Sequence, residues 1–165
     1  METRTSFFVR KHLPEVLRIE TEQFEFPWDE EMFVDLMKCN RTIGMVAERE
    51  GKVVGYVVYE LHRKHMEILN LAVDPDTLRS GVGSVIVQKL VGKLQPQRRN
   101  RICTFVRETN LQAQQFFRAV GFRATRVHHD YYTDGKHEDA YQMDFVLRRK
   151  KLTNPTNRIT SLRMA

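Results

Sequence analysis

Residues 67 to 84 read Glu67-Ile68-Leu69-Asn70-Leu71-Ala72-Val73-Asp74-Pro75-Asp76-Thr77-Leu78-Arg79-Ser80-Gly81-Val82-Gly83-Ser84. The first half is apolar enough for a buried strand, and Asp74-Pro75-Asp76 breaks it. The second half places two glycines just ahead of Val82, Val85, Ile86, Leu90, Val91 and Leu94, whose spacing predicts a helix. At such a strand-to-helix turn several backbone N–H groups can converge unobstructed by Cβ atoms, and the helix dipole and Arg79 add positive potential. The nest suits a pyrophosphate, although a plain tight turn has the same glycine spacing. Two other phosphate motifs fail. A P-loop needs Gly-Lys-Ser/Thr where Gly83 is followed by Ser84-Val85, and a dinucleotide fingerprint needs a glycine where Ile86 stands.

Working outward, Ser6 to Lys11 reads as a short strand, and Leu13, Val16, Leu17 and Glu20 follow helical spacing with Pro14 in the first turn. Phe24 to Trp28 forms an aromatic loop, after which Asp29 can cap a second helix carrying Met32, Phe33, Leu36 and Met37 on one face. Strands over 43–49 and 53–60 flank the turn Glu50-Gly51-Lys52, and the polar link 62–65 leads to the strand 66–73. Beyond the glycine-turn helix lie a strand over 101–107, a helix capped by Asn110 that stops at Gly121, and a hairpin of 122–132 with 139–147. The order β, α, α, β, β, β, α, β, α, β, β predicts an α+β fold, a sheet layered between helices on both faces.

With 165 residues and 41% hydrophobic content, the chain supports one core, and residues 1–148 are expected to form a single domain. Six of the 27 basic residues fall in 148–165, which hold no acid, leaving 21 bases against 21 acids before them. The net charge of +6 therefore marks a basic tail, 149–165, expected to be disordered; it either solubilises the chain or attracts RNA weakly. No apolar run approaches the roughly 20 residues of a membrane helix, and the N-terminus lacks a signal-like apolar stretch, so a cytoplasmic protein is expected. Cys39 and Cys103 form no C-x-x-C pair, and His128 and His129 lack ligand partners at useful spacing, so no metal is expected.

The segment 68–75 and the glycine turn, with Ile19-Glu20, Phe26-Pro27-Trp28, Val106-Arg107 and Asn110, Phe117 to Phe122, and Tyr131-Tyr132 through Asp134-Gly135 to Glu138-Asp139-Ala140, resemble in order the GNAT acetyltransferases. Within them the pattern is similar to the RimI-type ribosomal-protein alanine N-acetyltransferases, from about Glu15 to Leu147. The resemblance implies a mixed, mostly antiparallel sheet whose fourth and fifth strands splay apart to admit the pantetheine arm of acetyl-CoA. It further implies that Leu71, Ala72 and Val73 bind that arm along their backbone, that the amide of Val73 polarises the thioester, and that Arg79, Ser80, Gly81, Val82, Gly83 and Ser84 take the pyrophosphate. Asn110 and Phe117 would also meet the cofactor, although a simple N-cap explains Asn110 equally well. Leu78 stands where the family's glycine motif opens with Gln or Arg.

Direct transfer needs a neutral amine, and an α-amine with a pKa near ~8 is mostly protonated at neutral pH, so a base or a water relay to one is required. The RimI-type pattern carries a glutamate and a tyrosine where this chain has Phe105 and Phe117, and neither ring can move a proton. Glu67 coincides with the glutamate that histone-type GNAT enzymes use as base. Strand alternation puts it on one face with Leu69, Leu71 and Val73; the competing reading is a strand-end carboxylate paired with Lys64. Glu22 and Glu25 are second-choice bases. Tyr132, Tyr131 or water would protonate the departing thiolate. Phe26, Trp28 and Tyr131 would line an acceptor groove suited to an extended peptide N-terminus, possible in a ribosomal protein; plain packing is the alternative for the aromatic loop. Lysine side chains or small amines as acceptors, and a non-catalytic acetyl-CoA-binding module, remain open alternatives.

Overall fold

The computed structural model describes residues 1–148; the basic tail expected over 149–165 lies outside the described residues. The chain runs β1 (Arg4–Phe7), α1 (Leu13–Gln23), α2 (Glu30–Met37), β2 (Thr42–Arg49), β3 (Lys52–Leu61), β4 (His65–Val73), α3 (Val82–Val91), β5 (Arg101–Arg107), α4 (Leu111–Ala119), β6 (Arg123–Tyr132) and β7 (Glu138–Val146). The seven strands form one sheet in the order β1-β2-β3-β4-β5-β7-β6. All pairings are antiparallel except that of β4 with β5. Among the described residues no helix is long and apolar enough to cross a membrane.

Local chemistry sets the element boundaries. Asp29 caps α2 by accepting from the Met32 N–H at 2.9 Å, and Asn110 caps α4 by accepting from the Ala113 N–H at 3.0 Å. The first strand is displaced from the expected 6–11. Arg10–His12 turn instead into a 3-10 helix, held where the Val9 N–H donates to Nδ1 of His12 at 3.1 Å.

Two cores sandwich the sheet. Val82, Ile86, Val87 and Leu90 of α3 and Phe117 of α4 pack with Met66, Ile68, Ile102 and Val106 on one face. Leu13, Val16 and Ile19 of α1 and Phe33 of α2 pack with Val46, Val58 and Ala72 on the other. Burying these aliphatic and aromatic side chains contributes roughly 1.5–3 kcal/mol each before conformational entropy is charged against them.

The second core also encloses an acid. Glu20, 1% exposed, accepts from the Trp28 N–H at 2.7 Å, from Nδ2 of Asn70 at 3.0 Å and from the Tyr56 hydroxyl. These bonds tie α1, the aromatic loop, β3 and β4 together. Trp28 packs edge-on against Phe33 with ring centroids 5.4 Å apart, which is the packing alternative for this residue.

Two irregularities of β4 shape the site. The strand pairs with β5 only from His65 opposite Arg101 to Ile68 opposite Thr104. Beyond that point Leu69–Val73 and Phe105–Arg107 diverge, forming the splay between the fourth and fifth strands. The second irregularity lies on the β3 side, where Val58 faces Asn70 but Tyr59 faces Ile68, leaving Leu69 as the extra residue of a β-bulge. A bulge shifts the alternation of faces. Leu71 and Val73 pack against the α3 core, whereas Leu69 and Ala72 pack against the α1 core. The expected alignment of Glu67 with Leu71 and Val73 is therefore corrected: Glu67 shares the α1 face with Leu69 and Ala72.

Candidate active site

The splay exposes an unpaired backbone edge. The Asp74 N–H donates to Val54 on β3 at 2.9 Å, so alternation turns the backbone groups of Val73 and Leu71 the other way, toward β5. The Val73 carbonyl already has a partner there, the side-chain amide of Gln23 at 2.9 Å. Leu71, Ala72 and Val73 thus offer a strand edge along which an extended amide-bearing ligand can lie.

At the upper end of this edge the glycine turn bends the chain. Arg79 and Gly81 take positive φ of 60° and 87°, and Gly81 is the N-cap of α3. Among the described residues the N–H groups of Gly81, Val82, Gly83 and Ser84 donate to no backbone carbonyl, the condition for an anion nest at a helix start. Arg49, which sequence reasoning missed, braces the loop by donating to the Ser80 hydroxyl at 2.8 Å and to its carbonyl at 2.9 Å. It adds a second cation beside Arg79, but it lies on β2, thirty-two places before Gly81, so spacing carried no signal for it. Gly83 has an additional duty: a Cβ there would lie 2.8 Å from the Phe116 ring, so the residue lets α3 and α4 approach.

Two residues expected at the cofactor have structural partners of their own. Phe117 is 5% exposed and packs edge-on against Phe116 and Phe122 in the α3 core, each with centroids 5.1 Å apart. Asn110 uses its side-chain oxygen to cap α4.

Below the splay, on the α1 face, a cleft of about 440 Å³ is lined by Glu67, Cys103, Phe105, Arg126, Gln142 and Asp144 among others. Glu67 is one residue short of the last β4–β5 pair. Burial pushes its carboxyl above the ordinary range, and His62 partly opposes the shift. The Glu67 carboxylate pairs with Nε2 of His62 at 3.4 Å rather than with Lys64. The second-choice acids are engaged at the surface, Glu22 with Arg18 at 2.9 Å and Glu25 with Lys136 at 3.5 Å.

The two tyrosines divide the cleft. Asp130, at φ 51°, and a register shift between His128 and Tyr132 re-aim the end of β6. Tyr131 stacks on Phe105 with centroids 5.0 Å apart and planes at 8°, and its phenol is raised by burial and by the charge of Glu67. His128 also packs edge-on against Phe105 at 5.1 Å and bonds Gln142 at 2.9 Å, so it supports two residues of the cleft wall. Tyr132 points into the splay and donates its hydroxyl to the Phe105 carbonyl at 3.1 Å. Burial lifts its pKa to about 12, keeping the phenol protonated and able to donate.

Arg107 joins the walls. Its guanidinium lies 5.0 Å from the Phe26 ring and 3.9 Å from the Tyr132 ring, with ion pairs to Asp134 at 2.6 Å and Glu138 at 3.1 Å. The aromatic loop and the β6–β7 hairpin are thereby held across the mouth of the splay.

His62, His65 and Glu67 bring three ligand atoms within 4.8 Å of one another. The imidazoles, however, stack with centroids 4.4 Å apart and planes at 7°. A ring nitrogen binds a metal in the plane of its ring, and nearly parallel planes share no such point.

A splayed β4–β5 pair, a glycine nest at the start of the next helix and a cleft under the splay are features of one family, and the model of the acetyltransferase (GNAT) family matches residues 13–122. The chain belongs to that family. As a GNAT acetyltransferase it is an acyltransferase that takes its acetyl group from acetyl-CoA. It is 29% identical over 133 residues to the ribosomal protein bS18-alanine N-acetyltransferase of Escherichia coli (strain K12), covering 79% of this chain and 88% of that one. It is 30% identical over 137 residues to an uncharacterized N-acetyltransferase of Methanocaldococcus jannaschii, covering 82% and 86%. Among solved structures it resembles Ard1 from Thermoplasma volcanium with a TM-score of 0.79 and 26% identity, covering 90% of this chain and all of that one.

Proposed function

We propose that this GNAT enzyme acetylates the α-amine of a protein or peptide N-terminus, with Glu67 as the base. The observation that carries the reading is the position of Glu67: a half-buried carboxylate facing the cleft, one residue from where the strands part. Similarity to an enzyme named for a ribosomal-protein alanine supports the choice of acceptor and makes a ribosomal protein the first candidate.

In this reading the edge of Leu71, Ala72 and Val73 receives the pantetheine arm, and the 79–84 nest receives the pyrophosphate. Acetyl-CoA supplies the electrophilic thioester carbonyl. Glu67 draws a proton from the ammonium, directly or through water, and the freed amine attacks. Tyr132, protonated and aimed into the splay, serves the departing thiolate, with water as its substitute. Phe26, Trp28 and Tyr131 bound the entrance, with Tyr131 laid over Phe105 as the wall nearest Glu67. The test is mass spectrometry of peptides opening on Ala, Ser or Met after incubation with enzyme and acetyl-CoA. A mass gain of one acetyl group on the first residue is expected, and its absence from all three would overturn the peptide acceptor.

A further inference from the structure

Acetylating an ammonium leaves one proton unaccounted for by the product thiol. The C–N bond forms and the C–S bond breaks; of the two protons lost from nitrogen, one ends on the thiolate and one must leave for water. A base buried enough to be raised needs a route for that second proton, or it stays loaded after one turnover.

We propose that His62 carries this proton from Glu67 to solvent. The inference rests on the reading of Glu67 as base. Nε2 of His62 is buried and has no partner at hydrogen-bonding geometry, yet it lies 3.4 Å from Glu67 Oε2 and 3.8 Å from Glu60 Oε2. A small rotation completes a bond to either carboxylate. The rest of the ring is not enclosed, the side chain being 28% exposed. Thus one edge of the imidazole meets the base while the ring retains access to water.

The ring is held for this role on three sides. Its backbone is fixed by the bond from the His62 N–H to the His65 carbonyl at 2.9 Å and by Arg99 Nε on the His62 carbonyl at 2.8 Å. Its flat face rests on His65. The charged neighbours are Glu60 on β3, itself paired with Arg41 at 3.1 Å, Glu67 and His65 on β4, and Arg99 ahead of β5. Carboxylate oxygens of Glu67 and Glu60 lie 3.4 and 3.8 Å from Nε2, and an imidazole, with two ring nitrogens, can take up a proton at one and give one up at the other. In each cycle Glu67 passes its proton to Nε2, and the imidazolium releases one to water.

The test uses the full chain with acetyl-CoA and a peptide opening on alanine, followed by thiol release. His62→Ala is expected to lower kcat at least about tenfold, to leave KM for acetyl-CoA within twofold, and to alter the acidic limb of the kcat profile. Added imidazole is expected to restore activity to His62→Ala but not to Glu67→Gln. His62→Gln, which keeps a polar group of similar length, should behave as His62→Ala if the protein misses a proton carrier. Wild-type kcat and pH profile in both variants, or a loss that imidazole does not relieve and that leaves the pH profile unchanged, would overturn the relay. If Glu67→Gln is itself fully active, the base assignment falls, and the relay with it; an impaired Glu67→Gln beside unaffected His62 variants removes the relay alone.

Discussion

The guanidinium of Arg107 sits 3.9 Å above the ring of Tyr132 while its nitrogens reach Asp134 at 2.6 Å and Glu138 at 3.1 Å. One side chain of β5 therefore positions the phenol in the splay and ties down the hairpin beside it. Arg107→Ala is expected to lower kcat/KM for a peptide acceptor about tenfold while changing acetyl-CoA affinity less than threefold. Arg107→Lys should recover only part of the loss, because an ammonium cannot reproduce the planar fork and the stack. Steady-state kinetics with each substrate varied in turn checks the split.

Glu67→Gln keeps the shape of the side chain and removes its basicity. A fall in kcat of about 100-fold is expected, at the lower end of what a general base contributes. Burial raises the Glu67 pKa, so the active, ionised form accumulates only above the ordinary glutamate range and kcat/KM climbs with pH as that proton leaves. In Glu67→Gln this portion of the profile should disappear, leaving the titration of the amine itself.

Gly83 offers a prediction about stability rather than chemistry. A methyl group there meets the Phe116 ring at 2.8 Å, inside contact distance. Gly83→Ala is expected to cost about 1–3 kcal/mol through overpacking. Thermal unfolding should register the loss, and Phe116→Leu in the same chain should return part of it.

The buried Glu20 gives stability a pH dependence. Burial holds its carboxyl above the usual range against three hydrogen bonds that lower it. The native state thus binds this proton more tightly than the unfolded state, so its contribution is complete below the ordinary glutamate value and shrinks as pH rises through the raised one. Glu20→Gln should flatten that slope in denaturant titrations. Glu20→Ala should lose about 3 kcal/mol below the ordinary glutamate value, and less as pH rises, since it strands the Trp28 N–H, the Tyr56 hydroxyl and Nδ2 of Asn70.

Sequence periodicity located most elements because their signals are local. The strand over 101–107, the caps at Asp29 and Asn110 and the helix after the glycine turn all depend on residues within a turn or two of one another. The bulge at Leu69 was invisible for the opposite reason: it is a mismatch between β3 and β4, and no composition within β4 announces it. The same limit hid Arg49, which reaches Ser80 across the sheet, and the stacking of His62 on His65 within what read as a polar link. Phe117 was assigned to the cofactor by resemblance and lies in the core, where an apolar ring at that helix position gains more from burial than from a ligand. Where Tyr131 and Tyr132 point depends on the positive φ of Asp130, which no local pattern announces.

The bulge at Leu69 also governs what the strand can tolerate. Glu67 below it and Val73 above it are separated by five residues, an odd spacing of faces that regular pleating would not give. Substitutions at 69 change packing alone. Loss or gain of a single residue between 68 and 70 would instead rotate one half of β4 against the other, sending either the carboxylate or the strand edge to the wrong side. Length in this stretch is therefore held more tightly than identity, and variants of the enzyme should differ there by replacement and not by insertion or deletion.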